Sequence, residues 1–86
     1  MFDAPSYESL VERFGPEVLS LCSINERFVY ESTEVQMTRL DYANIFQTLT
    51  LKRNEAGRSE AGRNFSIAIT ELENSCIRAV KGLYSR

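Results

Sequence analysis

The chain has 86 residues, 43% of them hydrophobic and 26% charged, with a formal net charge of −2 and no histidine. That is one small soluble domain with a thin core, which buries only about 60–65% of its unfolded surface and gains from oligomerisation. The missing histidine removes the commonest general base, and two distant cysteines, Cys22 and Cys76, without a CxxC partner argue against zinc and for buried thiols.

Neither an apolar run of about 20 residues nor a secretory leader is legible, and the opening Met-Phe-Asp-Ala-Pro lacks a basic end, so a cytoplasmic protein is expected. Charge is uneven along the chain. Residues 1–34 carry two arginines against seven carboxylates, a net of −5, and residues 35–86 carry eight cations against five carboxylates, a net of +3. That is too little for a duplex-binding surface, whereas a small anion held by a few arginines fits.

In chain order, Asp3 is expected to cap a short first helix with Pro5 in its first turn and Tyr7, Leu10, Val11 and Phe14 on its apolar face. Gly15-Pro16 ends it, and Pro16 opens a second short helix to about Ser23, with Val18, Leu19 and Cys22 inward. Both are too short to persist without packing on something larger. Residues 24–31 read either as an extended connector or as a helical turn, and Phe28 and Tyr30 either as core anchors or as a stacking surface for a planar ligand.

Ser32 or Thr33 caps the next helix, and Thr33 with Gln36 has capping-box spacing. The helix is expected over 33–56. Val35, Thr38, Tyr42, Ile45, Leu49 and Lys52 form one row, with Met37, Leu40, Phe46 and Leu51 on the flanks. So wide an apolar surface suits either cover by the N-terminal helices or burial against another subunit. Gly57 and Gly62 bracket the turn, and a last helix reaches Tyr84. On it Phe65, Ala68, Ile69, Leu72, Cys76, Ala79, Val80 and Leu83 recur at three- and four-residue steps. Arg58 and Arg63 sit at the start of that helix, the end that already carries partial positive charge, and so are either solvated or set to meet an anion. Glu71 faces water, while Glu73 borders the apolar stripe and suits a pairing with an arginine of a neighbouring helix. No P-loop, GxGxxG, HExxH or nucleophile elbow occurs. The fold class expected is all-α: short N-terminal helices (1–25) followed by a long antiparallel helical hairpin (26–86), oligomeric.

The run Arg63-Asn64-Phe65-Ser66-Ile67-Ala68-Ile69-Thr70-Glu71-Leu72-Glu73-Asn74-Ser75-Cys76-Ile77-Arg78-Ala79 resembles the Arg-Glu-x-(Ser)-Leu-Ala-x-Thr-x-Leu-Glu-x-Ala-x-Met-Trp-Ala signature of the tailed-phage anti-CBASS cyclic-oligonucleotide sponges. Their helical hairpin is shared with some anti-Thoeris sponges. Upstream, Arg27-Phe28-Val29-Tyr30 resembles the family's Arg-Phe-x-Tyr, and Gln36 its following glutamine. Ile77 and Arg78 depart from Met-Trp, Ser75 from alanine, and Glu31 from a histidine. Asn44 stands nearest the position where the family carries a lysine or arginine, with Arg39 as a substitute. The resemblance implies a hexamer in the host cytoplasm that sequesters cyclic di- or trinucleotides, such as cyclic GMP-AMP, without degrading them and without a cofactor. It implies ligand contacts from Tyr30, which stacks on a base, and from Arg63, which holds phosphate in a separate trinucleotide pocket. Phe28, Arg39 and Asn44 complete the candidate set. Two other readings stay open: a helical adaptor that binds a host protein through residues 35–51, and an enzyme that cleaves cyclic nucleotides.

Overall fold

The computed structural model describes residues 3–86, so the first two residues of the expected N-terminal segment lie outside it. The protein is all-α. α1 spans Tyr7–Leu21, a 3-10 turn spans Glu26–Tyr30, α2 spans Thr33–Ala56 and α3 spans Glu60–Tyr84.

α1 starts later than its sequence suggests. Ser6, not Asp3, is the N-cap, and its hydroxyl accepts from the Ser9 amide at 3.2 Å, which leaves Pro5 ahead of the helix. The break at Gly15-Pro16 is present as a kink: Gly15 takes φ 81°, ψ 161°, which only glycine adopts freely, and helix resumes beyond it. Of residues 24–31, ambiguous in sequence, Glu26–Tyr30 form the 3-10 turn, capped by Asn25. α2 is capped by Ser32 through the Val35 amide. Gln36 is not a capping-box partner. Its amide donates instead to the Phe28 carbonyl at 2.8 Å and ties the 3-10 turn to α2.

α2 is the central element, packed against both α1 and α3. Its inward row is therefore Val35, Ala43, Phe46 and Thr50, flanked by half-buried Leu40, Tyr42 and Leu49. Ile45 and Lys52, expected inward, are exposed. α3 follows expectation more closely. Ile69, Cys76 and Val80 are buried, and Phe65, Ala68, Leu72, Ala79 and Leu83 are half-buried. One apolar cluster joins Leu10, Phe14 and Leu19 of α1, Phe28, Phe46 of α2, and Ile69 and Cys76 of α3. Residues on both sides of the expected boundary at 25 thus share one core.

The turn between α2 and α3 is tight because two glycines approach each other. Gly57 has φ 63°, and a Cβ on Gly62 would lie 2.1 Å from the Gly57 carbonyl oxygen. Ser59 caps α3 through the Gly62 amide at 3.1 Å. Away from the turn the two helices are cross-linked at their middle by Tyr42 Oη and Ser75 Oγ, 2.7 Å apart, and at their far ends by Tyr84 and Glu31 and by Arg86 and Glu34. The shape is hairpin-like: α3 packs back along α2, and α1 packs against α2.

The three ion pairs among the described residues, Glu17 with Arg53, Glu31 with Arg39 and Glu34 with Arg86, each join a carboxylate of the acidic half to an arginine of the basic half. The uneven charge along the sequence is thereby matched within the fold. Glu73 is in none of these pairs, contrary to expectation.

Candidate functional site

The candidate residues fall at separate places along the hairpin. Phe28 and Tyr30 are two apart in the 3-10 turn, where successive residues step by about 120°, so one turns inward and the other outward. Phe28 is 1% exposed and lies in the core, which excludes its ring as an open stacking face. Tyr30 is 86% exposed, the most exposed of the large apolar side chains among the described residues. Its ring lines a cleft of about 590 Å³ together with Arg27, Glu31, Ser32 and Tyr84.

Arg39 supports this cleft from below and does not open into it. Its Nε and Nη2 donate to the two Glu31 carboxylate oxygens at 2.8 and 2.9 Å, and its Nη1 donates to the Cys22 carbonyl at 3.0 Å. The two side chains are only 12% and 15% exposed. Burial by itself would raise the Glu31 carboxyl, but hydrogen bonds from Arg39 and then Tyr84, with the Arg39 charge, hold it below its ordinary value. Tyr84 Oη donates to Glu31 Oε2 at 2.6 Å, and this bond raises the Tyr84 hydroxyl above its ordinary value. Arg39 thus spends its fork on a carboxylate of its own chain, which corrects its assignment as a stand-in phosphate contact.

Asn44 lies near the middle of α2. Its Oδ1 accepts from Arg13 at 3.2 Å, and its amide donates to the Leu40 carbonyl at 3.1 Å. It links α1 to α2 and lines neither cleft described here.

Arg63 is exposed in the first turn of α3. It lines a second cleft, of about 480 Å³, with Arg53, Arg58, Ser59 and Ser66. Arg53 is held there by Glu17 at 3.1 Å, whereas Arg58 and Arg63 take part in no ion pair among the described residues. Arg58 and Arg63, two guanidinium groups beside the N-terminus of α3 with no carboxylate partner among the described residues, form a site of positive potential suited to a phosphate group. The two clefts occupy opposite ends of the hairpin. α2 alone, with 24 residues, spans about 36 Å. Within one chain, Tyr30 and Arg63 therefore cannot touch the same small ligand.

Sequence reasoning missed Tyr84, Glu31 and Arg53 as site-forming groups. Arg27 was noted only as part of a motif. Among the described residues no cluster of three or more cysteine or carboxylate side chains is arranged to hold a metal ion. No helix among them is long and apolar enough to cross a membrane. Compared with family models, with curated proteins and with solved structures, the chain matches none.

Proposed function

We propose that the protein is a non-enzymatic sponge of the phage anti-CBASS type, which binds cyclic di- or trinucleotide signals in the host cytoplasm and withholds them from their effector. The observation that carries this reading is the Tyr30 ring, 86% exposed at the mouth of a cleft that also presents Arg27. A planar base stacks on such a ring with about 1–3 kcal/mol, and arginine offers a two-point contact to phosphate. Arg63, in the arginine-lined cleft at the other end, is the proposed contact for the phosphates of a larger cyclic nucleotide. A sponge needs affinity and stoichiometry, not turnover.

The antiparallel hairpin is the proposed unit of a homo-oligomer, a hexamer on the resemblance. Supporting this, Met37, Ile45 and Leu51 of α2 and Ile67 and Ile77 of α3 are each 46–57% exposed. A solitary small domain has little reason to leave five such residues in water on two helices. The same surface favours the second reading, an adaptor that binds a host protein.

The deciding experiment mixes purified protein with cyclic GMP-AMP, isolates the complex, denatures it and identifies the released nucleotide. Intact ligand at fixed stoichiometry supports the sponge. Linearised product replaces it with an enzyme, and no binding at micromolar protein leaves the adaptor. Tyr30→Ala is expected to weaken dinucleotide binding with helicity and oligomer mass unchanged, and Arg63→Ala to weaken trinucleotide binding selectively.

A further inference from the structure

Resting on the sponge reading, we propose that Tyr84 is a second base-stacking ring of the Tyr30 cleft and that Arg27 is its phosphate-binding cation. The ligand class is a nucleotide with a planar base beside a phosphodiester.

Tyr84 closes α3 and is 61% exposed, yet its hydroxyl is fixed: it donates to Glu31 Oε2 at 2.6 Å, and Glu31 is itself gripped at both oxygens by Arg39. The ring is therefore anchored at its polar tip with much of its apolar body left in water. A side chain oriented before binding loses little rotational freedom when a ligand stacks on it, which is how preorganisation raises affinity. Tyr30 and Tyr84 line the same cleft. They do not stack on each other; among the described residues the aromatic pair in ring contact is Tyr42 and Phe46, with centroids 6.5 Å apart. Two open rings around about 590 Å³ leave room for a base, within the roughly 300–1,000 Å³ of small-molecule sites.

The charge around the cleft points the same way. Glu31 is neutralised by Arg39, and nearby Glu34 by Arg86. Arg27 is exposed, lines the cleft and belongs to no ion pair among the described residues. Its backbone is held in place, since its amide donates to the Asn25 side chain at 2.8 Å, and the residue is exposed. An unpaired guanidinium beside two aromatic rings matches the phosphate and the base of one nucleotide. Glu31 and Arg39 act as positioning residues, since they set the Tyr84 ring and need not touch the ligand.

The test is calorimetric titration with cyclic GMP-AMP of the wild type and of Tyr84→Ala, Tyr84→Leu, Tyr84→Phe and Arg27→Gln, each checked for helicity and oligomer mass. Tyr84→Ala and Tyr84→Leu are expected to bind about 5- to 160-fold more weakly, the range that loss of one stacked base supports. Tyr84→Phe, which keeps the ring and loses the anchor, falls between them and the wild type. Arg27→Gln weakens binding and flattens its dependence on salt. Leu at 84 covers the case in which Ala disturbs the helix end. Wild-type affinity in Tyr84→Leu overturns the stacking role, and an unchanged salt slope in Arg27→Gln overturns the phosphate role, with the sponge reading intact in both cases. A wild-type protein that binds no cyclic nucleotide overturns the sponge reading and this inference with it.

Discussion

Arg39→Met tests whether the guanidinium is a structural partner of Glu31 or a free ligand group. The substitution keeps an apolar stem but removes three donor contacts, two to Glu31 and one to the Cys22 carbonyl. Breaking a fully buried pair costs about 3–5 kcal/mol, because the surviving charge is left without a partner. These side chains are 12% and 15% exposed, so the loss falls toward the lower end, about 3 kcal/mol. A domain of 86 residues has roughly 4–13 kcal/mol of total stability, at about 0.05–0.15 kcal/mol per residue. The variant is thus expected to fall by about 12–24 °C in Tm, at about 4–8 °C per kcal/mol. Thermal and urea melts followed by helical circular dichroism at fixed protomer concentration measure the shift and the free energy, and a cycle with Glu31→Gln isolates the pair, with an expected coupling of about 1–3 kcal/mol. The pH dependence has a definite sign. The Glu31 carboxyl is lower in the folded chain than its ordinary 4.5, so the unfolded chain takes up the proton first on acidification. The stabilisation is complete above about pH 4.5 and is lost as pH falls through the folded value, so the gap between wild type and Glu31→Gln narrows below that point. A loss under about 1 kcal/mol with no coupling refutes the reasoning and frees Arg39 for a ligand.

Gly62→Ala puts a Cβ against the Gly57 carbonyl oxygen and is expected to cost about 1–3 kcal/mol in thermal melts, whereas Gly82→Ala, with open space at that site, gains up to about 1 kcal/mol; equal effects would mean that the turn relaxes freely. Burial, and then its neighbour Cys76, push the Cys22 thiol up to about 12, and burial also raises Cys76, so both thiols should resist an aromatic disulfide reagent at pH 8 until urea is added. Immediate reaction without denaturant counts against this. Phe28→Ala should destabilise by about 3–5 kcal/mol and Tyr30→Ala by no more than about 0.5 kcal/mol, and the reverse order would exchange their core and surface roles.

Much of this fold was legible in local chemistry, and what escaped was long-range. Gly57, the kink at Gly15-Pro16 and the stripe on α3 each follow from single residues or a fixed period. The width of the apolar surface on α2 points to more than one partner, and α2 does pack against both α1 and α3, but the row itself does not show that Ile45 and Lys52 face water. Asp3 and Ser6 are both residue types that cap helices, and Ser6 is the one that sits one position before the helix that forms, where its oxygen reaches the third amide on. Arg39 enters the candidate set only through the resemblance, and nothing local shows its pairing with Glu31, eight positions away on the far side of the Ser32 cap.

Tyr84 was missed for a reason that the hairpin itself corrects. As the last residue of an amphipathic helix, its exposed ring reads as a frayed end. The arms of the hairpin, however, are nearly equal, at 24 and 25 residues, and leave a tight turn whose middle is residue 58. Positions equally far from that turn must meet if the arms pack side by side. Tyr42 lies 16 residues before it and Ser75 lies 17 after it, and their oxygens meet at 2.7 Å. Glu31 lies 27 before it and Tyr84 lies 26 after it, and their oxygens meet at 2.6 Å. Counting outward from residue 58 therefore carries Tyr84 back to the 3-10 turn that presents Tyr30. An insertion of one residue in α3 between Val80 and Tyr84 would rotate Tyr84 by about 100° and move it by about 1.5 Å along the helix, taking it away from Glu31 while Ile69, Cys76 and Val80, nearer the turn, kept their register.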